Sequence, residues 1–244
     1  MNRILVVGLA LVCSACAAAA QIPDQFKNLQ VLPKDIAKKD LVDKMRGFCT
    51  SLGVRCTHCH VGEEGKPLET YDFAADTKAP KQTARVMLQM VQAVNHDWVS
   101  KVVSDRQERM QVSCVTCHHG QPVPRTLQAT LTGTLAANGL PATIQKYRDL
   151  REQYYGRDTF DFGEVSLNNM ARGLMRDNRT ADALAMLELN AEFYPKSAMV
   201  QVLTGEAQLQ AGDKEKAAAA YRQALELDPK NETATKRLSE LGAK

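Results

Sequence analysis

The chain has 244 residues and a mass of 26.9 kDa, room for one large domain or two small ones. Hydrophobic residues at 44% and charged residues at 24% exclude a collagen-like, disordered or multi-span membrane protein. Aromatics at 5% and abundant alanine favour helices over a β-sandwich, and 31 Lys and Arg against 28 Asp and Glu leave no electrostatic footprint for nucleic acid.

Residues 1–20 read as a signal peptide. Arg3 supplies the positive start, and Ile4 to Val12 form an apolar run too short to span a bilayer. Ala18, Ala19 and Ala20 then offer an A-x-A cleavage site before Gln21. An uncleaved anchor is one alternative. Lipoprotein processing at Cys16 is another, although Cys13 stands at −3, where an aliphatic residue is usual. Cleavage after residue 20 removes two of the seven cysteines and leaves Cys49, Cys56, Cys59, Cys114 and Cys117 in an oxidising, periplasmic compartment.

The next segment, 21–125, contains two C-x-x-C-H motifs, Cys56-Thr57-His58-Cys59-His60 and Cys114-Val115-Thr116-Cys117-His118. Two thiols at this spacing reach the two vinyl groups of one porphyrin as thioethers, and the histidine that follows ligates the iron. A zinc site using the four cysteines, or a pair of disulfides, is the competing reading. It leaves a histidine after each second cysteine unexplained, twice. The expected cofactors are two haems c. Cys56 and Cys59 attach the first, with His60 as its axial ligand; Cys114 and Cys117 attach the second, with His118.

A haem used for electron transfer takes six ligands, and methionine opposite histidine leaves no open position. Ahead of the first motif, Asp40 is a candidate N-cap, and Leu41, Met45, Phe48 and Leu52 recur at helical spacing. Gly53 is placed to end that helix and turn the chain toward Cys56. Met45 lies on the face expected to look at the porphyrin. Cys49, four residues on, shares that face and is expected to be a small buried side chain. Ahead of the second motif, a helix over Lys81 to Asp105 carries Met87, Met90, Val91, Val94, Trp98 and Val102. Either Met87 or Met90 suits the second iron by spacing; Met110 is too close to Cys114 to fold back. His58, His96 and His119 are expected to be non-ligands, with His96 the leading exception.

These residues resemble the cytochrome subunit of photosynthetic reaction centres. MRGFCTSLGVRCTHCHVG matches one helix–turn–motif unit of that family, and ARVMLQMVQAVNHDWV with VSCVTCHHGQPVP matches another. The resemblance covers about residues 28–125. It implies an electron carrier rather than an enzyme, redox donor and acceptor proteins as partners, and a helix methionine on each iron. It prefers Met90 to Met87 and gives Met45 to the first haem. The family's well-known members carry four motifs and this chain two, so it looks like a half-length version. A dihaem peroxidase is the enzymatic alternative, since it needs one open or displaceable iron position.

Pro122 and Pro124 close the haem segment. Residues 126–160 are expected to be a linker and short helix, with a further helix at 143–155. From 161 to 244 a period of 34 residues relates Asn178 to Gly212, Ala183 to Ala217 and Pro195 to Pro229, the tetratricopeptide period. Leu167, Ala171 and Leu187 mark the first copy, Gly205, Tyr221 and Ala224 the second, and 232–241 is a capping helix. Two copies are few, so they are expected to lean on the helix at 143–155. Such a stack exposes a concave face suited to a protein partner; a repeat adaptor with a secondary haem domain is therefore a further alternative. The fold class expected is mainly α: a dihaem c-type cytochrome domain followed by a short helical-repeat domain. Membrane association is expected only through lipidation or a complex.

Overall fold

The computed structural model describes residues 22–102 and 110–242. The expected signal peptide and Cys16 lie outside those residues. The chain divides into two compact units. Among the described residues, one comprises 22–50 with 54–102 and 110–113; the other comprises 51–53 and 114–242. The segment expected as one haem domain, 21–125, thus contributes its first motif to one unit and its second to the other. No helix among the described residues is long and apolar enough to cross a membrane.

In the first unit, α1 (Lys38–Leu52) starts two residues before Asp40 and ends at the glycine placed to stop it. Gly53 takes φ 64°, and Val54 N–H donates to the Cys49 carbonyl at 3.0 Å. This left-handed closure turns the chain into the first motif, where His60 N–H donates to the Cys56 carbonyl at 2.9 Å. The loop that follows is held by one β-bridge between Val61 and Asp72. Gly62 is required there, because a Cβ would sit 2.5 Å from the Tyr71 ring.

Among the described residues, the helix expected over Lys81 to Asp105 is α-helical only as α2, Ala79–Ala93. It then widens into a π-turn over Val94–Trp98 and tightens into a 3₁₀ turn over Val99–Lys101. Asn95 coincides with the change: its amide donates to the Val112 carbonyl at 2.7 Å and accepts from Val112 N–H at 2.8 Å. Two-point capture of a neighbouring strand of backbone favours the wider turn, a feature common at functional sites.

In the second unit, α3 (Cys114–His118) is the second motif itself. Residues expected to be linker are helical from Leu127: α4 (Leu127–Tyr154) is two helices joined at Gly139, where φ is 78° and ψ 179°, with Pro141 just beyond. Thr126 caps it, accepting from Ala129 N–H at 3.1 Å. Its first half buries Leu127, Leu131 and Leu135, one every fourth residue, beneath a run of Thr, Ala and Gly.

The repeats follow as α5 (Glu164–Arg176), α6 (Thr180–Phe193), α7 (Ala198–Gln210), α8 (Lys214–Leu227) and α9 (Glu232–Glu240), so α5, α7 and α9 start 34 residues apart. Asn178 and Gly212, one period apart, both take positive φ at the turn between paired helices. Gly205 lies against Tyr221 so closely that a Cβ would meet its ring at 2.5 Å, while Ala217 and Ala224 are fully buried. As expected, the repeats lean on α4: Tyr147 and Leu150 share one core with Leu167, Met170, Leu187 and Leu203. Arg151 is sandwiched there by aromatic faces, 4.1 Å from the Tyr155 ring and 4.3 Å from that of Phe193. A buried amide pair, Asn190 Nδ2 donating to Asn168 Oδ1 at 2.9 Å, ties α5 to α6.

Candidate haem sites

The first motif presents Cys56, Cys59 and His60 from one turn of backbone. All three are half-buried, and both cysteines are free thiols. The His60 ring packs edge-on against Phe73, with centroids 5.0 Å apart. Its Nδ1 is buried and has no hydrogen-bond partner. Burial is the largest influence holding the His60 pKa below that of an ordinary histidine, followed by the charge of Lys81, with that of Lys78 smaller. Both lysines come from the start of α2 and the turn before it. Lys78 Nζ donates to the carbonyl of Thr57, inside the motif. Lys81 Nζ donates to the carbonyls of Phe73, Ala74 and Ala75 at 3.0, 3.1 and 2.6 Å and pairs with Asp76 at 2.9 Å. Arg85 takes the same carboxylate through two bonds of 2.8 Å, and these contacts hold the Asp76 pKa well below the usual carboxylate range.

On α1, Leu41 is buried, and Met45 and Cys49, four and eight residues further on, are half-buried on the same face. The Cys49 thiol lies beside that of Cys56, and burial above all pushes its pKa up to about 11. A thiol this reluctant to ionise suits a buried small side chain.

The second motif, α3, holds Cys114 half-buried, Cys117 exposed and His118 half-buried, again with free thiols. Here the histidine is oriented: its Nδ1 is 2.8 Å from the Gln121 carbonyl. A carbonyl only accepts, so Nδ1 carries the proton and the Nε2 lone pair is left for a metal. Gly120 N–H in turn donates to the Ser51 carbonyl at 2.9 Å. His119 takes φ 45°, and both His119 and His58 are exposed. His96 pairs with Asp97 at 2.6 Å, its side chain turned to solvent. On α2, Met87 and Met90 are 38% and 47% exposed, beside Val86 at 60%; Trp98, in the π-turn, is 70% exposed. The more covered face of this helix is instead Ala84, Arg85, Leu88 and Val91. Periodicity located the apolar stripe but not which part of it the protein itself covers.

These residues fit haem c. Each motif offers two unpaired thiols and a histidine. Among the described residues the first unit buries one hydrophobic side chain fully, Leu41, against more than twenty in the second. A unit of that size without a core of its own has apolar surface free to pack on a large planar group. Sequence reasoning missed Lys78, Lys81, Phe73 and the Gln121 carbonyl. The lysines and Gln121 work through backbone carbonyls, which carry no residue-type signal.

The repeat unit has its own concavity, about 1050 Å3, lined by Asn169, Arg172, Arg176, Glu206, Gln210 and Arg237 among others from α5, α7 and α9. Arg237 is engaged with Glu240 at 3.1 Å.

A mainly helical protein with two C-x-x-C-H motifs and a tetratricopeptide tail is thus the class that fold and site define. The model of the photosynthetic reaction centre cytochrome C subunit family matches residues 12–159, and the chain belongs to that family. The tetratricopeptide repeat model matches residues 198–231. The chain is 29% identical over 136 residues to the photosynthetic reaction center cytochrome c subunit of Thermochromatium tepidum, an alignment covering 55% of this chain and 30% of that one. It is 36% identical over 124 residues to the corresponding subunit of Roseobacter denitrificans, covering 50% and 31%. The chain therefore aligns with less than a third of the length of these relatives. Among solved structures, the first TPR domain of the human RPAP3 protein is similar over 48% of this chain and 87% of that one, at 21% identity and TM-score 0.34.

Proposed function

We propose that this chain is an exported electron carrier holding two covalently attached haems c. Cys56 and Cys59 bind one, with His60 and Met45 as axial ligands; Cys114 and Cys117 bind the other, with His118 and Met90. When bound, each haem supplies a one-electron iron couple. The chain's own residues attach it, choose its ligands and set its surroundings. The observation that carries this reading is the pair of C-x-x-C-H motifs with free thiols, the second with its histidine already locked by Gln121 as an Nε2 donor.

The partners are redox proteins that deliver and accept electrons, as family membership supports. Lipidation at Cys16 or a complex would keep the protein at the periplasmic face of a membrane. The concave face of the repeats is the surface for a further protein partner, which the arginine-bearing groove supports. A redox-titrated visible spectrum of the purified protein tests the proposal. Two low-spin, six-coordinate haems per chain are expected. A spectrum without haem bands would refute it in favour of zinc or disulfides, and a high-spin haem in the resting protein would reassign the chain as a peroxidase.

A further inference from the structure

The two proposed sites have the same donor set, so axial ligand identity gives them no reason to differ in reduction potential. Their surroundings do. We infer that the His60 site is the more oxidising of the two, because the carbonyl nearest His60 is shared with the Lys81 ammonium and two lysines stand beside the motif, whereas His118 has a carbonyl of its own.

His118 is 2.8 Å through Nδ1 from the Gln121 carbonyl. An imidazole that leans its proton on a carbonyl is a more basic ligand. A more basic ligand stabilises the higher charge of oxidised iron and lowers the potential. His60 Nδ1 is buried from solvent and has no such partner. The carbonyl on that side belongs to Phe73, the residue whose ring packs edge-on against His60. That carbonyl accepts from Lys81 Nζ at 3.0 Å, and the same ammonium gathers the Ala74 and Ala75 carbonyls and Asp76. The Lys81 side chain is only 11% exposed, so the arrangement is built rather than incidental. His60 is therefore the weaker donor.

Charge acts in the same direction. Lys78 Nζ is anchored on the Thr57 carbonyl within the motif, and Lys81 and Arg85 share one carboxylate, Asp76. Net positive charge beside an iron penalises the oxidised state more than the reduced one and raises the potential. The second-site motif has no comparable lysines: Lys and Arg are absent from Val112 to Pro124. An electron shared between the sites rests at the His60 site.

This inference depends on the haem reading above, and its test separates the two. The holoprotein is first weighed to count haems, then titrated spectroelectrochemically. Two one-electron steps are expected. Cys56→Ala with Cys59→Ala should retain only the more negative step. Lys81→Met frees the Phe73 carbonyl and removes a charge. It should move the more positive step alone, by at least about tenfold in reduction equilibrium constant, ~59 mV for a one-electron couple. Lys81→Arg should recover most of that shift. Lys78→Gln, which loses a single carbonyl contact, should move the same step in the same direction by charge alone, and serves if Lys81→Met fails to fold. In the oxidised wild type, the His60 Nδ1 proton should exchange with solvent deuterium faster than that of His118. Fewer than two haems by mass would overturn the haem reading itself. Two haems with the more positive step surviving loss of Cys56 and Cys59, or an upper step indifferent to both lysine substitutions, would overturn this inference alone.

Discussion

Gly53 is the position where one methyl group should do the most damage to the turn that feeds the first motif. It takes φ 64°, and an added Cβ would lie 2.1 Å from the Gly120 carbonyl oxygen and 2.9 Å from its carbon. The obstacle is backbone, so no side chain can swing aside. Gly65 supplies the control, since it takes φ 81° but a Cβ added there would have nothing within 4 Å. Gly65→Ala should cost only the left-handed penalty, about 1–2 kcal/mol. Gly53→Ala carries that penalty and must also displace Gly120, whose N–H is bonded to Ser51, for a further ~1–3 kcal/mol. In a chain of this size each kcal/mol is roughly 2–4 °C of melting temperature. The assay is thermal melting of the holoprotein by circular dichroism for wild type and both variants. Gly53→Ala should melt well below Gly65→Ala, which should lie only a few degrees below wild type. Equal shifts for the two would show that the Gly53–Gly120 approach constrains nothing.

Three further outcomes are expected. Cys49 should alkylate slowly in the native holoprotein, because burial pushes its thiol pKa up and leaves little thiolate at pH 8, and rapid labelling would show that the α1 face is misassigned. Met45→His should keep the first haem six-coordinate while lowering its potential, read by redox titration, since imidazole favours oxidised iron more than a thioether does. Met90→Leu should abolish the near-infrared sulfur–iron band of the second haem, and Met87→Leu should leave it. The opposite pattern moves the ligand one helical turn, and a band indifferent to both makes His96 the leading ligand.

What the sequence displays is what is coded in contiguous residues. C-x-x-C-H is one helical turn of chemistry, and Gly53 ends α1 by a local φ requirement. The 34-residue spacing of Asn178 and Gly212 marks two equivalent left-handed turns. The first half of α4 is harder to read: its Leu127, Leu131 and Leu135 carry the helical period, but the intervening Thr, Ala and Gly residues resemble a linker. The π-turn at Val94–Trp98 depends on Asn95 meeting Val112, seventeen residues away, and no local pattern announces it. Lys81 and Gln121 are invisible for another reason. Lys81 acts largely by holding main-chain carbonyls and Gln121 by presenting one, and a carbonyl has no residue type. The methionines of α2 stay ambiguous because Met87 and Met90 are neighbours on one face, and both remain exposed.

The central claim is covalent haem at both motifs, and the most direct measurement is the intact mass of the polypeptide after denaturation and acid–acetone extraction. Two haem additions should remain with the wild-type chain, and one with the chain carrying Cys56→Ala and Cys59→Ala. A wild-type chain that emerges with one haem or none contradicts the account.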